Sequence, residues 1–153
     1  MIALIQRAAR AQVSVEGEVI GKIGAGMMIL LGVIEGDTEE DVERLVKKCV
    51  QMRIFPDDNG VMNRSVADVG GEVMVVSQFT LAADIRKGNR PSYIKAARPE
   101  QAIPLYESFC DGISILLSRP VARGRFGADM QVELINDGPV TIIADSRQLA
   151  SKS

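Results

Sequence analysis

Two stretches of this chain repeat apolar residues at helical spacing, and the rest of its apolar content comes in short runs bounded by glycine, proline or turn residues. That pattern leaves little room for an all-helical bundle or an all-strand sandwich. The first helical stretch begins near Asp37 or Thr38 and presents Val42, Leu45, Val46, Cys49 and Val50 on one face. Asp37 with Glu40 fits a capping box at its start, and Pro56 is expected to stop it. The second stretch follows Pro99, a residue suited to a first helical position. Ala102, Ile103, Tyr106, Phe109, Cys110, Ile113 and Leu117 supply its apolar face. Pro104 suits a helix interior poorly, so the regular part is expected to start nearer to it.

Between and around these helices the sequence reads as strands. Ile2 to Val15 favours strand, with a weak Ala-Ala-Arg-Ala centre, and Glu16-Gly17 turns it into Glu18-Val19-Ile20. Met27 to Ile34 is apolar throughout, as in a strand buried on both faces. Gly21, Gly24 and Gly26 before it match neither a phosphate loop nor a dinucleotide fingerprint. Asp57-Asp58-Asn59-Gly60 is a turn, and Glu72 to Phe79 is a central strand. Further strands are expected near Val121–Phe126, Met130–Asn136 and Val140–Ala144, with a frayed tail at Ser151-Lys152-Ser153. No repeat, linker or low-complexity tract divides the chain. The expectation is one domain, residues 1–153, of α/β class (α+β-like), with mixed or antiparallel sheets and two main helices on one side.

Composition narrows the chemistry. The chain has no histidine, which removes His-based triads, His-ligated metals and imidazole acid–base work. Cys49 and Cys110 are far apart in sequence on helical apolar patterns and read as buried structural thiols. No apolar run is long enough to span a bilayer, and the start, Met1 to Arg7, does not read as a signal peptide. The expected location is the cytoplasm. A net charge of −2 argues against bulk attraction to a nucleic-acid backbone. Charge is nonetheless uneven. Residues 82–98 carry Arg86, Lys87, Arg90, Lys95 and Arg98 against Asp84 alone, while residues 35–43 are acidic. The 82–98 excursion is also longer than most loops, which makes it a candidate functional segment.

Two segments stand out as chemistry. Ser77-Gln78-Phe79-Thr80-Leu81 follows the apolar run Val73–Val76. At a strand end its amides can face a cleft and stabilise an oxyanion. Thr80 is a conceivable nucleophile, but no histidine exists to activate it. The same residues also fit an ordinary strand end with its hydroxyls bonded to backbone. Asn136-Asp137-Gly138-Pro139-Val140-Thr141 fits an ordinary turn between two strands. It also fits a ligand contact, because Gly138 lets a ligand approach the backbone and an X-Pro bond can be cis. Two carbonyls turned the same way could then accept bonds from an ammonium group.

Taken together, these motifs resemble the D-aminoacyl-tRNA deacylase (D-tyrosyl-tRNA deacylase) family. Its signatures stand here as residues 77–81 and 136–141. Supporting blocks are Ile5-Gln6-Arg7, residues 87–92 and residues 124–130, all in order along the chain. The resemblance implies a homodimeric esterase in three layers, β/β/α, that cleaves a D-amino acid from the 3′-terminal adenosine of tRNA. It implies a cis Gly138-Pro139 peptide that enters the partner subunit's site, holds the α-amino group and excludes L-residues sterically. Glycine, without a side chain, should pass that filter. Arg7 matches the residue that orients the peptide. Ser77, Gln78, Phe79 and Thr80 match the catalytic wall, and Phe126 and Met130 match pocket-lining positions. Catalysis is expected to rest on backbone amides near Phe79 and Thr80 and on the ribose 2′-hydroxyl, with no cofactor and no metal. A non-catalytic tRNA-binding module and a small-ester hydrolase using Thr80 are the alternatives.

Overall fold

The opening strand sets the architecture. In the computed structural model, which describes residues 1–149, β1 runs from Ile2 to Val15 and then turns through Glu16-Gly17. It continues into β2 (Glu18–Ile23), followed by β3 (Gly26–Gly32), α1 (Glu39–Gln51), β4 (Phe55–Pro56), β5 (Met62–Arg64) and β6 (Glu72–Ser77). After a 3-10 turn at Phe79–Ala82 come α2 (Pro99–Leu117), β7 (Ala122–Arg123) and β8 (Met130–Asp145). The tail Ser151–Ser153 lies outside the described residues.

Six strands form one mixed sheet in the order β2-β1-β3-β6-β7, with β8 also on β1. β3 lies antiparallel to the first half of β1, pairing Ile2 with Gly32 and Ala8 with Gly26. β2 takes the second half, from Ala11 to Val15. β8 follows β1 along nearly its whole length. The weak Ala-Ala-Arg centre is where the register slips, between Gln6 and Arg10. Small side chains there let the long strand bend, so the sheet curls and encloses a second core.

The two cores follow the alternation of strand side chains. Met27, Ile29, Leu31, Val73 and Val75 face the helices, against Leu45, Cys49, Phe109 and Ile113. Met28, Met74 and Val76 face the other way, against Ala8, Ala11, Val13 and Ile23. β3 and β6 are therefore buried on both faces, as their continuous apolar runs predict. The result is three layers, β/β/α, with both helices on one side. Cys49 and Cys110 are free thiols in the helix-side core, and burial pushes them up to about 12 and about 11.

Four local expectations shift. The capping box of α1 uses Thr38 and Asp41, one residue later than Asp37 and Glu40. Thr38 Oγ1 accepts from the Glu40 amide at 3.3 Å, and Asp41 Oδ2 accepts from the Thr38 amide at 2.9 Å. Asp37 is buried and engaged elsewhere. Pro56 does not end α1, which closes at Met52; Pro56 sits in β4 instead. α2 starts at Pro99 and runs through Pro104, whose missing amide orphans only the carbonyl of exposed Glu100. The two C-terminal strands are one: β8 is continuous from Met130 to Asp145 and carries Asp137–Val140 as an outward excursion opposite Arg7.

Candidate active site

β3, β6 and β7 run parallel to one another, and their C-terminal ends open into a cavity of about 260 Å³. Strand ends of this kind are where α/β sheets bind ligands. Leu31 and Ser77 are partners at the end of the β3–β6 ladder. The next amide, Gln78, donates to the Leu31 carbonyl at 2.8 Å, and the chain then tightens into the 3-10 turn. Gly32 makes this possible, because a Cβ there would meet the Gln78 carbonyl oxygen and Leu81 Cβ, both at 3.0 Å. The first amides of such a turn have no partner inside it. Among the described residues the Phe79 and Thr80 amides meet no protein acceptor elsewhere either. Gln78 Nε2 donates to Thr80 Oγ1.

Ser77, Gln78 and Phe79 line the cavity, and so do Phe126 and Met130. Phe126 meets Tyr106 edge-on, with ring centroids 6.0 Å apart. The Tyr106 hydroxyl donates to the Val75 carbonyl at 2.9 Å, and burial pushes its pKa well above the usual phenol range. Met130 folds back onto Gly124, where a Cβ would lie 2.6 Å from its sulfur. Phe79 is half exposed and meets Tyr93 edge-on at 5.1 Å.

The structure thus brings together Ser77, Gln78, Phe79, Phe126 and Met130. Thr80 follows directly in the chain, yet it is exposed and does not line the cavity. Sequence reasoning missed Tyr106 as a lining residue. Its signal was a phenol on an apolar helix face, which needs a polar partner when buried. Leu31, Val33, Ala97 and Asp129 also line the cavity and gave no signal of their own. Among the described residues, no three Cys, Asp or Glu side chains converge as metal ligands.

Arg7, Gly138 and Pro139 lie elsewhere. Arg7 pairs with Met27, four positions before Leu31 on β3, which is roughly 13 Å along the strand. Arg7 Nε donates to the Asp137 carbonyl at 2.9 Å and Nη1 to the Ile54 carbonyl at 2.7 Å. The excursion is closed at its base by Asn136. Its Oδ1 accepts from the Val140 amide at 3.1 Å, and its Nδ2 donates to Thr141 Oγ1 at 3.0 Å. The Gly138–Pro139 peptide is cis and exposed. Gly138 has φ +140°, and a Cβ there would lie 2.8 Å from Val140 Cγ2 and 3.2 Å from Arg7 Nη2.

A curled mixed sheet carrying two helices on one side, with a cavity at its parallel strand ends, is the class of protein that fold and site define. Residues 4–145 match the family described as D-Tyr-tRNA(Tyr) deacylase, and the chain belongs to that family. It is 55% identical over 147 residues to a D-aminoacyl-tRNA deacylase of Parabacteroides distasonis, covering 96% of this chain and 98% of that protein. It is 59% identical over 145 residues to one of Akkermansia muciniphila, covering 95% and 97%. Among solved structures, a c-Myc DNA unwinding element binding protein superposes with a TM-score of 0.89 at 41% identity, covering 95% of this chain and 98% of the other. A probable eukaryotic D-amino acid tRNA deacylase superposes at 0.78 with 16% identity, which speaks to the fold.

Proposed function

We propose that this chain, working as one domain over residues 1–153, hydrolyses the ester of D-aminoacyl-tRNA and rejects the L-ester. The observation that carries the reading is the cavity at the strand ends, lined by Ser77, Gln78, Phe79, Phe126 and Met130. Those residues come from one signature, 77–81, and one supporting block, 124–130, of the resemblance, and the named relatives are deacylases over nearly their full length. No helix among the described residues is long and apolar enough to cross a membrane, and we place the protein in the cytoplasm.

In this mechanism the 3′-terminal adenosine occupies the cavity against Phe126 and Met130. Water adds to the ester carbonyl, oriented by the ribose 2′-hydroxyl. The unpartnered amides of Phe79 and Thr80 hold the resulting oxyanion. The ester C–O bond then breaks, the 3′-oxygen leaves with a proton, and the free D-amino acid departs. Thr80 does not attack, since its hydroxyl already accepts from Gln78 and the chain offers no imidazole to activate it.

Chirality is read by a second copy. Gly138 and Pro139 do not line their own cavity, and Arg7 anchors their loop through the Asp137 carbonyl. They sit on β8, whose outer edge has no strand partner among the described residues and which exposes Val132, Ile135 and Ile143. A long unpaired edge with apolar side chains is an association surface. Homodimerisation through β8 brings each Gly-Pro loop to the partner's cavity, where its carbonyls accept from the substrate α-ammonium. A D-side chain then points outward, an L-side chain collides with the loop, and glycine passes, so glycyl-tRNA is a second substrate.

Side-by-side hydrolysis of D-tyrosyl-tRNA and L-tyrosyl-tRNA at low enzyme tests the reading, with the D-ester alone expected to disappear. Equal loss of both removes the Gly-Pro argument. Loss of neither favours nucleic-acid binding without chemistry, a reading to which the name of the 41%-identical structure gives some weight.

A further inference from the structure

The excursion between the 3-10 turn and α2 takes no part in the mechanism above, yet it is built rather than loose. Every residue from Ile85 to Lys95 is exposed. Its base is stapled by two backbone bonds, Asp84 amide to Ser92 carbonyl at 2.8 Å and Ser92 amide to Asp84 carbonyl at 2.9 Å. A second staple joins the Glu35 amide to the Lys95 carbonyl at 2.9 Å and the Ala97 amide to the Val33 carbonyl at 3.0 Å. Both Val33 and Ala97 line the cavity, and Tyr93 rests on Phe79 of its wall. The arm therefore rises from the rim of the site.

Its charge is one-sided. The single carboxylate of the arm, Asp84, is taken up internally: it accepts from the Arg86 amide at 3.1 Å, from Nε at 2.9 Å and from Nη2 at 2.7 Å. Among the described residues, Lys87, Arg90 and Lys95 enter none of the ion pairs. Arg98, at the foot of the arm, shares a shallow groove with Glu35 and Glu100 and is partly offset. Three free cations on a stapled, exposed arm stand out in a chain of net charge −2. Exposed cations with no protein partner, set beside a cavity for the end of a polyanion, complement phosphodiester charge.

We infer that residues 84–95 form a docking arm for the phosphodiester backbone of the tRNA acceptor end, with Lys87, Arg90 and Lys95 as its contacts. The inference rests on the deacylase reading and deepens it. The arm governs capture of tRNA and leaves the chemical step to the cavity. It separates an aminoacyl-tRNA from a small aminoacyl ester that fits the same cavity.

The test compares two substrates, D-tyrosyl-tRNA and D-tyrosyl-adenosine. The second keeps the ester and the ribose and carries no phosphate. In the Lys87→Ala/Arg90→Ala/Lys95→Ala variant, kcat/KM for D-tyrosyl-tRNA is expected to fall at least tenfold at moderate salt through KM. The slope of log(kcat/KM) against log salt should flatten by about two units, since each phosphate contact contributes about 0.7–0.9. Turnover of D-tyrosyl-adenosine should stay within about twofold. Lys87→Arg/Lys95→Arg, which keeps the charge, should behave as the unaltered protein. An unchanged salt slope, an equal loss on both substrates, or wild-type cleavage of the adenosine ester as efficient as that of tRNA overturns the arm. Wild-type protein inert towards both substrates overturns the deacylase reading itself, and is distinguishable from those three results.

Discussion

Two polar clusters flank the end of β3, and they treat their hydrogen-bonding groups in opposite ways. On the β1 side, the amino group of Met1 is buried against Asp37 Oδ2 at 2.8 Å and Ser146 Oγ at 3.0 Å. Ser146 Oγ donates onward to Asp41 Oδ1 at 2.8 Å, and Asp37 Oδ2 also accepts from the Ile34 amide at 2.7 Å. Every group there has a protein partner, and the cluster ties the first strand, the foot of α1 and the end of β8 together. On the β6 side, Ser77 and Gln78 are half-buried, Phe79 and Thr80 are exposed, and the first amides of the turn face no protein acceptor. The first arrangement fixes structure. The second leaves hydrogen-bonding capacity for a ligand.

The difference breaks most sharply at Asp37. Asp37→Ala leaves a buried ammonium without its counter-charge, a change of about 3–5 kcal/mol in stability. Urea unfolding should report that loss, while turnover per folded molecule on D-tyrosyl-tRNA stays unaltered. A cost under about 1 kcal/mol would mean that the cluster is not the lock its geometry describes.

Gly138, outside both clusters, tests the proposed reading of chirality. A Cβ at φ +140° would press on Val140 Cγ2 at 2.8 Å and on the Val140 amide nitrogen at 2.9 Å. Gly138→Ala is expected to lower D-tyrosyl-tRNA hydrolysis about 100-fold, or about 2.7 kcal/mol in the barrier. Stability should fall by no more than about 1–2 kcal/mol, because the excursion is exposed. Full activity in this variant would detach the loop from the site.

How much of this was legible follows from how far apart the partners lie. The helices, the doubly buried strands and the wall residues Ser77, Gln78 and Phe79 are local patterns, and the sequence carries them directly. Asp37 read as a cap because its partners, Met1 and Arg147, are far away in sequence. β8 read as two strands because Gly138-Pro139 looks like a turn, whereas β1 absorbs the insertion by slipping register on its alanines. Tyr106 and Met130 reach one cavity only after α2 and β8 have packed. That the Gly-Pro loop lies away from its own chain's cavity has no signal in local pattern and was implied by the family resemblance alone.

A smaller effect belongs to the acid limb. Burial raises the Asp41 pKa, but the Thr38 amide, the Ser146 hydroxyl, the Met1 ammonium and Arg44 together outweigh it, so the carboxyl sits below its ordinary value of 3.8. A carboxylate with a depressed folded pKa contributes stability that is fully present above its unfolded value and is lost as pH falls through the folded one. Asp41→Asn should therefore lower stability at neutral pH and flatten its decline below about pH 4. Asp57, Asp68 and Asp84 are also held low, by amides, a hydroxyl or an arginine in solvent-screened turns. The acid limb should keep a residual slope from them. An unchanged profile in Asp41→Asn would move the whole effect to those turns.

The smallest effect is expected at Thr80, and it decides the chemistry. The residue is exposed, lies outside the cavity lining, and has its hydroxyl engaged by Gln78. Thr80→Ala should change stability by no more than about 0.5 kcal/mol. If the amide of residue 80 supports the oxyanion, the substitution preserves it, because alanine keeps its N–H. Single-turnover hydrolysis at saturating enzyme should then stay within about tenfold of the unaltered protein. A covalent nucleophile behaves otherwise, since its removal typically costs four or more orders of magnitude (about 10⁴-fold and beyond) with binding intact. A loss of that size, with tRNA still bound and the fold intact, would transfer the reaction from amides and ribose hydroxyl to the Thr80 side chain.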